Sequence, residues 1–272
     1  MNDGRSRRHE TLWSCSIASV PACWARALAV VLSMLACVLS GNVTAADLRI
    51  VAPNAVKGIV KDAAERYQRV SGNHVVFTWG GSEAITKRIG DGELFDVVLN
   101  TPQNLDTLTK AGKIVPGTRT DFARSGIGVA VRAGQPRPDV SNQEALRKAL
   151  LQANTIGISS GPSGRYLAEL FQRLGVAKEV QSKIKQPPSG TQIADLVSRG
   201  EVELGFQQIS ELQHATGVEY LGALPAGLQS YTTWSGALHL AANDPAAGRA
   251  FLNTLTSSEV AIAIKNAGME PM

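Results

Sequence analysis

Hydrophobic periodicity alternates between two spacings along most of the chain. Short apolar, β-branched runs such as 47–52 (DLRIVA) are typical of buried strands, whereas 56–71 repeats its apolar residues at helical spacing. This alternation predicts an α/β fold in which parallel-rich sheets are flanked by helices. The predicted strands are 47–52, 75–79, 95–99, 127–131, 156–159, 203–207 and 237–240. The predicted helices are 56–71, 83–89, 104–111, 143–152, 166–174, 193–199, 246–254 and 258–266.

The first 45 residues have the layout of a cleavable secretory signal. A basic leader ends at Arg26, and the apolar run 27–39 and a small polar stretch follow it. That run of 13 residues is shorter than the roughly 20 that a bilayer span needs. Because Val43-Thr44-Ala45 fits the small-x-small rule, we expect cleavage after Ala45 or one residue later, and export to the periplasm. A membrane anchor and a lipoprotein cleaved before Cys37 are the alternatives.

Cysteine usage and charge narrow the function classes. All three cysteines, Cys15, Cys23 and Cys37, lie in the leader, so the remaining 227 residues contain no disulfide and no thiolate chemistry. The net charge of +4 falls to about +2 without the leader, which leaves 23 basic and 21 acidic residues. Since no basic run is interleaved with aromatics, we do not expect a nucleic-acid partner. A hydrophobic content of 44% suits a sizeable core.

Three short polar loops each join a predicted strand to a predicted helix. They are 52–57 (APNAVK), 79–83 (WGGSE) and 159–164 (SSGPSG). In α/β folds ligands bind beyond the carboxyl ends of strands, and the N-terminus of a helix favours an anion. Ser82 and Ser163 add hydroxyl donors, and Gly81 allows close backbone approach. Helix capping is the alternative explanation for each loop taken singly.

Enzyme constellations are weak in the residues after the leader. His74, His214 and His239 are isolated and lack metal-ligand spacing, and 161–164 is one residue short of a Gly-x-Ser-x-Gly elbow. No catalytic residue, metal or cofactor is therefore predicted, and we expect the protein not to be an enzyme. Lys57 and Arg165 flank the loops and are candidates for attracting an anion, with a plain helix-surface role as the alternative.

The order of these loops resembles the periplasmic molybdate-binding proteins of ABC importers. The resemblance covers essentially the whole chain from Leu48 and is carried by 48–89, 95–114, 157–175 and 196–212. It implies a two-lobed type 2 periplasmic-binding-protein fold, with the ligand enclosed between the lobes. In that family the oxyanion is held by serine hydroxyls and helix-start amides, without ion pairs.

The family's ligand positions carry over only in part. Ser82 stands at the second-loop serine, and Ser163 and Gly190 stand at backbone positions. The first-loop serine is replaced by Asn54 or Ala55, depending on a one-residue alignment choice, and a tyrosine is replaced by Gln208. Because an amide both donates and accepts hydrogen bonds, a ligand with carboxylates or protons becomes an alternative to a tetrahedral oxyanion.

These observations and the resemblance predict a periplasmic substrate-binding protein that captures a small oxyanion of the molybdate or tungstate kind between its two lobes and passes it to an inner-membrane ABC permease. We predict a signal peptide over 1–45, one lobe from 46–127 plus 236–272, and a second lobe from 128–235. Hinges are expected near 125–128 and 234–236, and the protein is expected to be a monomer. An organic anion is the alternative ligand, and an envelope enzyme or a sensor on the same fold are the alternative functions.

Overall fold

The computed structural model describes residues 47–272, so the predicted signal peptide lies outside the described residues. Within that range no helix is both long and apolar enough to cross a membrane. The strands are β1 (Asp47–Pro53), β2 (His74–Gly80), β3 (Val97–Asn100), β4 (Thr120–Ser125), β5 (Ile127–Arg132), β6 (Ile156–Ile158), β7 (Ile184–Lys185), β8 (Leu204–Gln208), β9 (Val218–Ala223), β10 (Thr232–Leu238) and β11 (Glu270–Pro271). The α-helices are α1 (Lys57–Ser71), α2 (Ser82–Gly90), α3 (Pro102–Lys110), α4 (Gln143–Gln152), α5 (Pro162–Arg173), α6 (Ala177–Val180), α7 (Ile193–Ser198), α8 (Ile209–Leu212), α9 (Pro245–Leu255) and α10 (Ser258–Asn266).

The strands form two separate mixed sheets. The first has the order β11-β4-β10-β3-β1-β2, and the second has the order β7-β6-β8-β5-β9. β1 pairs in parallel with β2 and β3, and β6 pairs in parallel with β7 and β8. The remaining pairs are antiparallel. Two sheets flanked by helices confirm the predicted fold class.

Each sheet has its own core, because the faces of its strands pack against different helices. On the first sheet, Val60 of α1 and Phe251 of α9 are fully buried in one cluster, and Ile85 of α2 is fully buried in another. On the second sheet, Leu146 of α4 and Leu167 of α5 pack with the strands. The helices owe this burial to their amphipathic spacing.

The chain crosses between the two sheets twice. The first crossing is Gly126, which separates β4 from β5, and the second is the segment 224–231 between β9 and β10. This second crossing precedes the predicted hinge at 234–236, since Thr232–Ser235 already pair with β4. Gln229 joins the crossings: Ile127 N–H donates to its Oε1 at 2.8 Å, and its Nε2 donates to the Ile127 carbonyl at 3.0 Å. The lobe boundaries remain a prediction.

Candidate functional site

A narrow cleft lies where the loops after β1, β2, β6 and β7 meet the end of β8. Because these are parallel strands within their sheets, their carboxyl ends point the loops into one place. The cavity has a volume of about 50 Å³. Its lining residues are Pro53, Asn54, Ala55, Gly80, Gly81, Ser82, Ser159, Ser160, Gly161, Pro162, Ser163, Ser189, Gly190, Thr191, Gln192, Gln207, Gln208, Glu211 and Trp234. The structure thus brings together all seven residues predicted to bind ligand, from Asn54 to Gln208.

Two helices that begin at this cleft have no side-chain cap. α2 begins after Gly81 and α5 after Gly161, and neither has a side-chain cap. In contrast α3, α4, α9 and α10 are all capped by the side chain of the preceding residue. Capping is therefore not the role of Ser82 or Ser163, which occupy the first turns of α2 and α5. The first-turn N–H groups of these two helices are suited to an anion.

Both serines are buried and fixed in place. Ser82 is 4% exposed, and its carbonyl accepts from Asn100 Nδ2 at 3.0 Å and from Thr86 Oγ1 at 2.9 Å. Ser163 is 3% exposed, and its hydroxyl lies 2.9 Å from the hydroxyl of Ser159. The backbone of Ser82 and the hydroxyl of Ser163 are therefore held in place on opposite walls of the cleft.

Direct hydrogen bonds cross the cleft. Asn54 Nδ2 donates to the Gly190 carbonyl at 3.0 Å, and Ser210 Oγ donates to the Ala55 carbonyl at 2.7 Å. Asn54 and Ala55 follow β1 of the first sheet, whereas Gly190 and Ser210 follow β7 and β8 of the second sheet. These bonds hold the cleft in a closed form, in which the Asn54 amide donates a hydrogen bond to the opposite wall.

Trp234 presents an unpaired donor at the cleft. Trp234 is a lining residue of the cavity and is 2% exposed, and its indole Nε1–H has no hydrogen-bond partner among the described residues. A buried N–H without a partner costs about 1–3 kcal/mol. An acceptor on a bound ligand would satisfy it. The sequence predicted only a hinge at 234–236, because no local pattern shows which groups lie opposite an indole.

Glu211 is the one ionisable side chain among the lining residues of the described chain. Burial raises the pKa of its carboxyl to about 7, and hydrogen bonds with Gln192, Gln207 and the Gln208 backbone partly oppose that rise. The carboxyl is therefore divided between its neutral and charged forms near neutral pH. Sequence reasoning missed this residue, since a glutamate in the short segment ISEL looks like an ordinary surface charge.

Two predicted anion-attracting residues lie outside the cavity lining. Lys57 places its ammonium 5.6 Å from the centre of the Trp79 ring. Arg165 donates to Glu83 Oε1 at 2.6 Å on the exposed rim, where α5 faces α2. The charges of Lys57 and Arg165 thus interact with Trp79 and Glu83, and the cavity lining contains no Lys or Arg.

Gln208 lines the cavity but uses its amide at the crossings. In the orientation that matches donors with acceptors, Nε2 donates to the Ser125 and Gly126 carbonyls at 3.1 and 3.2 Å. Its Oε1 then accepts from Thr232 Oγ1 at 2.9 Å. The side chain therefore connects β8 of the second sheet to β4 and β10 of the first sheet, which contain Ser125 and Thr232. Among residues 47–272, no group of three or more His, Cys, Asp or Glu residues is arranged to hold a metal ion.

Comparison with known proteins places this chain in a family. Residues 48–270 match the family described as bacterial extracellular solute-binding protein. An aconitate isomerase from a Pseudomonas species is 33% identical over 231 residues, which cover 83% of this chain and 88% of the relative. The molybdate-binding protein of Azotobacter vinelandii is 25% identical over 174 residues, covering 62% of this chain and 67% of the relative.

A solved structure of a periplasmic molybdate-binding protein from Azotobacter vinelandii has the same fold. It superposes with a TM-score of 0.70 at 21% identity, covering 82% of this chain and 98% of that one. The resemblance to molybdate-binding proteins is therefore confirmed. A relative named as an enzyme shares the family, so membership alone does not decide whether this chain catalyses a reaction. The chain belongs to the bacterial extracellular solute-binding protein family, and it is a solute-binding protein of the ABC-transporter type.

Proposed function

We propose that the protein binds a small organic polycarboxylate in this cleft and delivers it to an inner-membrane permease. The observation that carries this proposal is the pairing of uncharged donors with one ionisable carboxyl. Ser82, Ser163 and the Trp234 N–H supply donors, while Glu211 supplies a group that is a donor when neutral and an acceptor when charged.

A fully deprotonated tetrahedral dianion fits such a lining less well. In its charged form the Glu211 carboxylate repels the dianion across a small, partly desolvated space, where charges interact more strongly than in water. A polycarboxylate has several separate acceptor groups, so it can direct one toward the donors and share a proton with Glu211 through another. The relative named for aconitate, a tricarboxylate, supports this ligand class.

A tetrahedral oxyanion is the second candidate. Two helix starts without side-chain caps face a cavity of only about 50 Å³, which suits a compact anion. The relatives named for molybdate support this alternative.

A thermal-shift screen separates the two candidates. The full chain is expressed with its leader, purified from the periplasmic extract, and melted with citrate, cis-aconitate, tricarballylate, malate, molybdate, tungstate and sulfate. A ligand at 100 times its dissociation constant stabilises the fold by about 2.7 kcal/mol. We expect at least one polycarboxylate to raise the melting temperature, and the three oxyanions to raise it less.

We also propose that the leader is removed and the protein is periplasmic. N-terminal sequencing of the periplasmic material should begin at Ala46 or Asp47. An intact leader recovered in washed membranes would contradict this and favour an anchor, and a lipidated Cys37 would identify a lipoprotein.

A further inference from the structure

The Arg165–Glu83 ion pair differs from the other bonds that cross the cleft. Arg165 Nη1 donates to Glu83 Oε1 at 2.6 Å, and because α5 packs on the second sheet and α2 on the first, the pair joins the two walls. The bonds that Asn54 and Ser210 make across the cleft involve uncharged groups. Among the ion pairs of residues 47–272, only Arg165–Glu83 joins the two walls.

A ligand reaches the cleft only after this pair has separated. In the closed form Ser82 and Ser163 are 4% and 3% exposed, so an anion in solvent cannot contact them. Entry therefore requires the walls to part, and Arg165 and Glu83, which lie on opposite walls, then lose each other as partners. Their side chains are 56% and 38% exposed even when paired, so both charges face solvent at the mouth of the open cleft.

Once separated, the two charges act on an incoming anion in opposite ways. Arg165 lies at the start of α5, two residues after Ser163, where the free N–H groups of the helix also favour an anion. Glu83 lies in the first turn of α2, directly after Ser82, where its carboxylate repels an anion and offsets the helix dipole. The positive wall of the open cleft is therefore the wall of α5.

The carboxyl groups of the second wall leave Arg165 available. Glu169, four residues further along, is the one acidic residue of α5, and an exposed ion pair at this spacing is weak. Glu211 is buried and hydrogen-bonded to Gln192 and Gln207. A ligand carboxylate can form two parallel charge-assisted hydrogen bonds with a guanidinium, so it competes well for Arg165 before closure.

We propose that Arg165 is a capture residue that changes partners: it attracts the ligand anion to the wall of α5 while the cleft is open, and it pairs with Glu83 as the cleft closes. The ligand therefore binds the second wall first, beside Ser163, and the first wall closes over it. In the closed form the Arg165 charge is cancelled at the rim, and uncharged donors hold the ligand. This inference deepens the proposed function and rests on it, since it requires an anion in the cleft.

Partner exchange predicts opposite effects of the two charges on the rate of association. A charge at the rim of a binding site acts mainly on the association rate and its dependence on salt. Loss of the Arg165 charge removes an attraction, whereas loss of the Glu83 charge removes a repulsion and a competing partner. A pair that only fastened the closed form would behave differently, since loss of either member would speed dissociation and leave association unchanged.

Stopped-flow fluorescence on the exported full-length protein measures both rates. The signal comes from Trp234, which lines the cavity. The probes are tricarballylate and molybdate, each at about 0.01 M and about 1 M ionic strength, where the Debye length is about 30 Å and about 3 Å. The variants are Arg165→Gln, Arg165→Lys and Glu83→Gln.

Two substitutions on α4 serve as matched controls. Arg147→Gln and Glu144→Gln remove the same charges from exposed positions outside the cavity lining. Glu144 also lies in the first turn of its helix, as Glu83 does. These controls separate the position of a charge from the net charge of the protein.

We expect Arg165→Gln to lower the association rate constant at least about threefold at low ionic strength, and the difference to vanish at high ionic strength. Glu83→Gln should raise that constant, and Arg165→Lys, which keeps the charge, should associate within about twofold of the parent. The dissociation rate should change by less than about fivefold in each variant, because an exposed ion pair is weak. Both α4 controls should behave as the parent.

Other outcomes overturn one proposal or both. If tricarballylate binds but Arg165→Gln associates as fast as the parent, or Glu83→Gln associates more slowly, the capture role is wrong and the proposed function stands. An equal loss in Arg147→Gln would also overturn it, because net charge alone would explain the effect. If only molybdate binds, the proposed ligand class is wrong and the molybdate rates decide the capture role. Binding of neither probe would overturn both proposals.

Discussion

Gly81 and Gly190 lie so close across the cleft that a Cβ added to Gly81 would sit 2.5 Å from the Gly190 nitrogen. The same Cβ would overlap the Ser189 hydroxyl, which accepts from the Ala84 N–H of α2 at 3.3 Å. The closed form therefore depends on the missing side chain at Gly81. The backbone of Gly81 has a φ of −86°, so an alanine can adopt the local conformation, and its effect would come from the clash between the two walls.

Gly81→Ala should hold the cleft open. Because closure brings the second wall to the ligand, we expect at least a tenfold loss of affinity with little change in thermal stability. Gly58→Ala is the matched control: this glycine lies in α1, a Cβ there meets nothing within 4 Å, and alanine favours a helix by up to about 1 kcal/mol. Calorimetry and small-angle scattering with saturating ligand measure both effects. A Gly81→Ala variant that binds and compacts like the parent would contradict the proposed closure.

Ser82→Ala should weaken ligand binding by roughly 3- to 10-fold, because one hydrogen bond contributes about 0.5–1.5 kcal/mol and more with a charged partner. The exposed Ser258, which is the first residue of α10 just as Ser82 is of α2, supplies the control Ser258→Ala. Titration of both variants with the ligand identified in the screen measures the difference. Equal affinities would mean that Ser82 only shapes the start of its helix.

Trp234→Phe should lower ligand affinity, and it should also lower the unfolding free energy of the free protein, because the smaller ring leaves space in the buried cluster. The indole N–H has no partner among the described residues, so its removal costs the free protein no hydrogen bond. With ligand bound, the same change removes one donor, which predicts about a tenfold loss if the acceptor is charged. Denaturant unfolding with and without ligand separates the two effects. Equal ligand affinity of the variant and the parent would show that the indole N–H does not donate to the ligand.

Glu211 should make the free protein less stable as pH rises from about 4.5 to 7. Its pKa is raised from 4.5 to about 7 in the folded state, so the folded protein binds the extra proton in that range. The contribution of Glu211 to the free energy of unfolding is fully present below pH 4.5 and is lost as pH rises through 7. This contribution is at most about 3 kcal/mol, since the group is partly solvated. Glu211→Gln should remove this component. Parallel stability curves for the two proteins would contradict it.

The sequence predicts the site better where the signal is local. The loops 79–83 and 159–164 are recognisable from glycine and serine between a strand and a helix. Each lies at the carboxyl end of a strand, one in the first sheet and one in the second, and both line the cleft between the sheets. Glu211 and Trp234 carry no such local signal, since their importance depends on which residues lie opposite. The antiparallel strands β4 and β9 escaped prediction for a similar reason: TDFARS and VEYLGA mix polar and apolar residues, and their pairing is long-range.

The roles assigned to charged and amide side chains were the least predictable. Arg165 and Lys57 flank the loops 159–164 and 52–57 in sequence. Their partners, Glu83 and Trp79, lie in the remaining loop, 79–83, and the sequence does not show that these pairs form. Gln208 likewise lies at the cavity, yet its amide is occupied by Ser125, Gly126 and Thr232. The sequence placed Arg165, Lys57 and Gln208 near the cleft, but the role of each side chain depends on which partner it contacts in the folded protein.

The most direct test of the central claim is side-by-side calorimetric titration of the exported protein with cis-aconitate, tricarballylate and molybdate at pH 7. A polycarboxylate cleft predicts saturable binding of a tricarboxylate at one site, with molybdate at least about tenfold weaker. Tight molybdate binding with no heat from either tricarboxylate would contradict that claim, and it would identify the cleft as an oxyanion site in which Glu211 is tolerated.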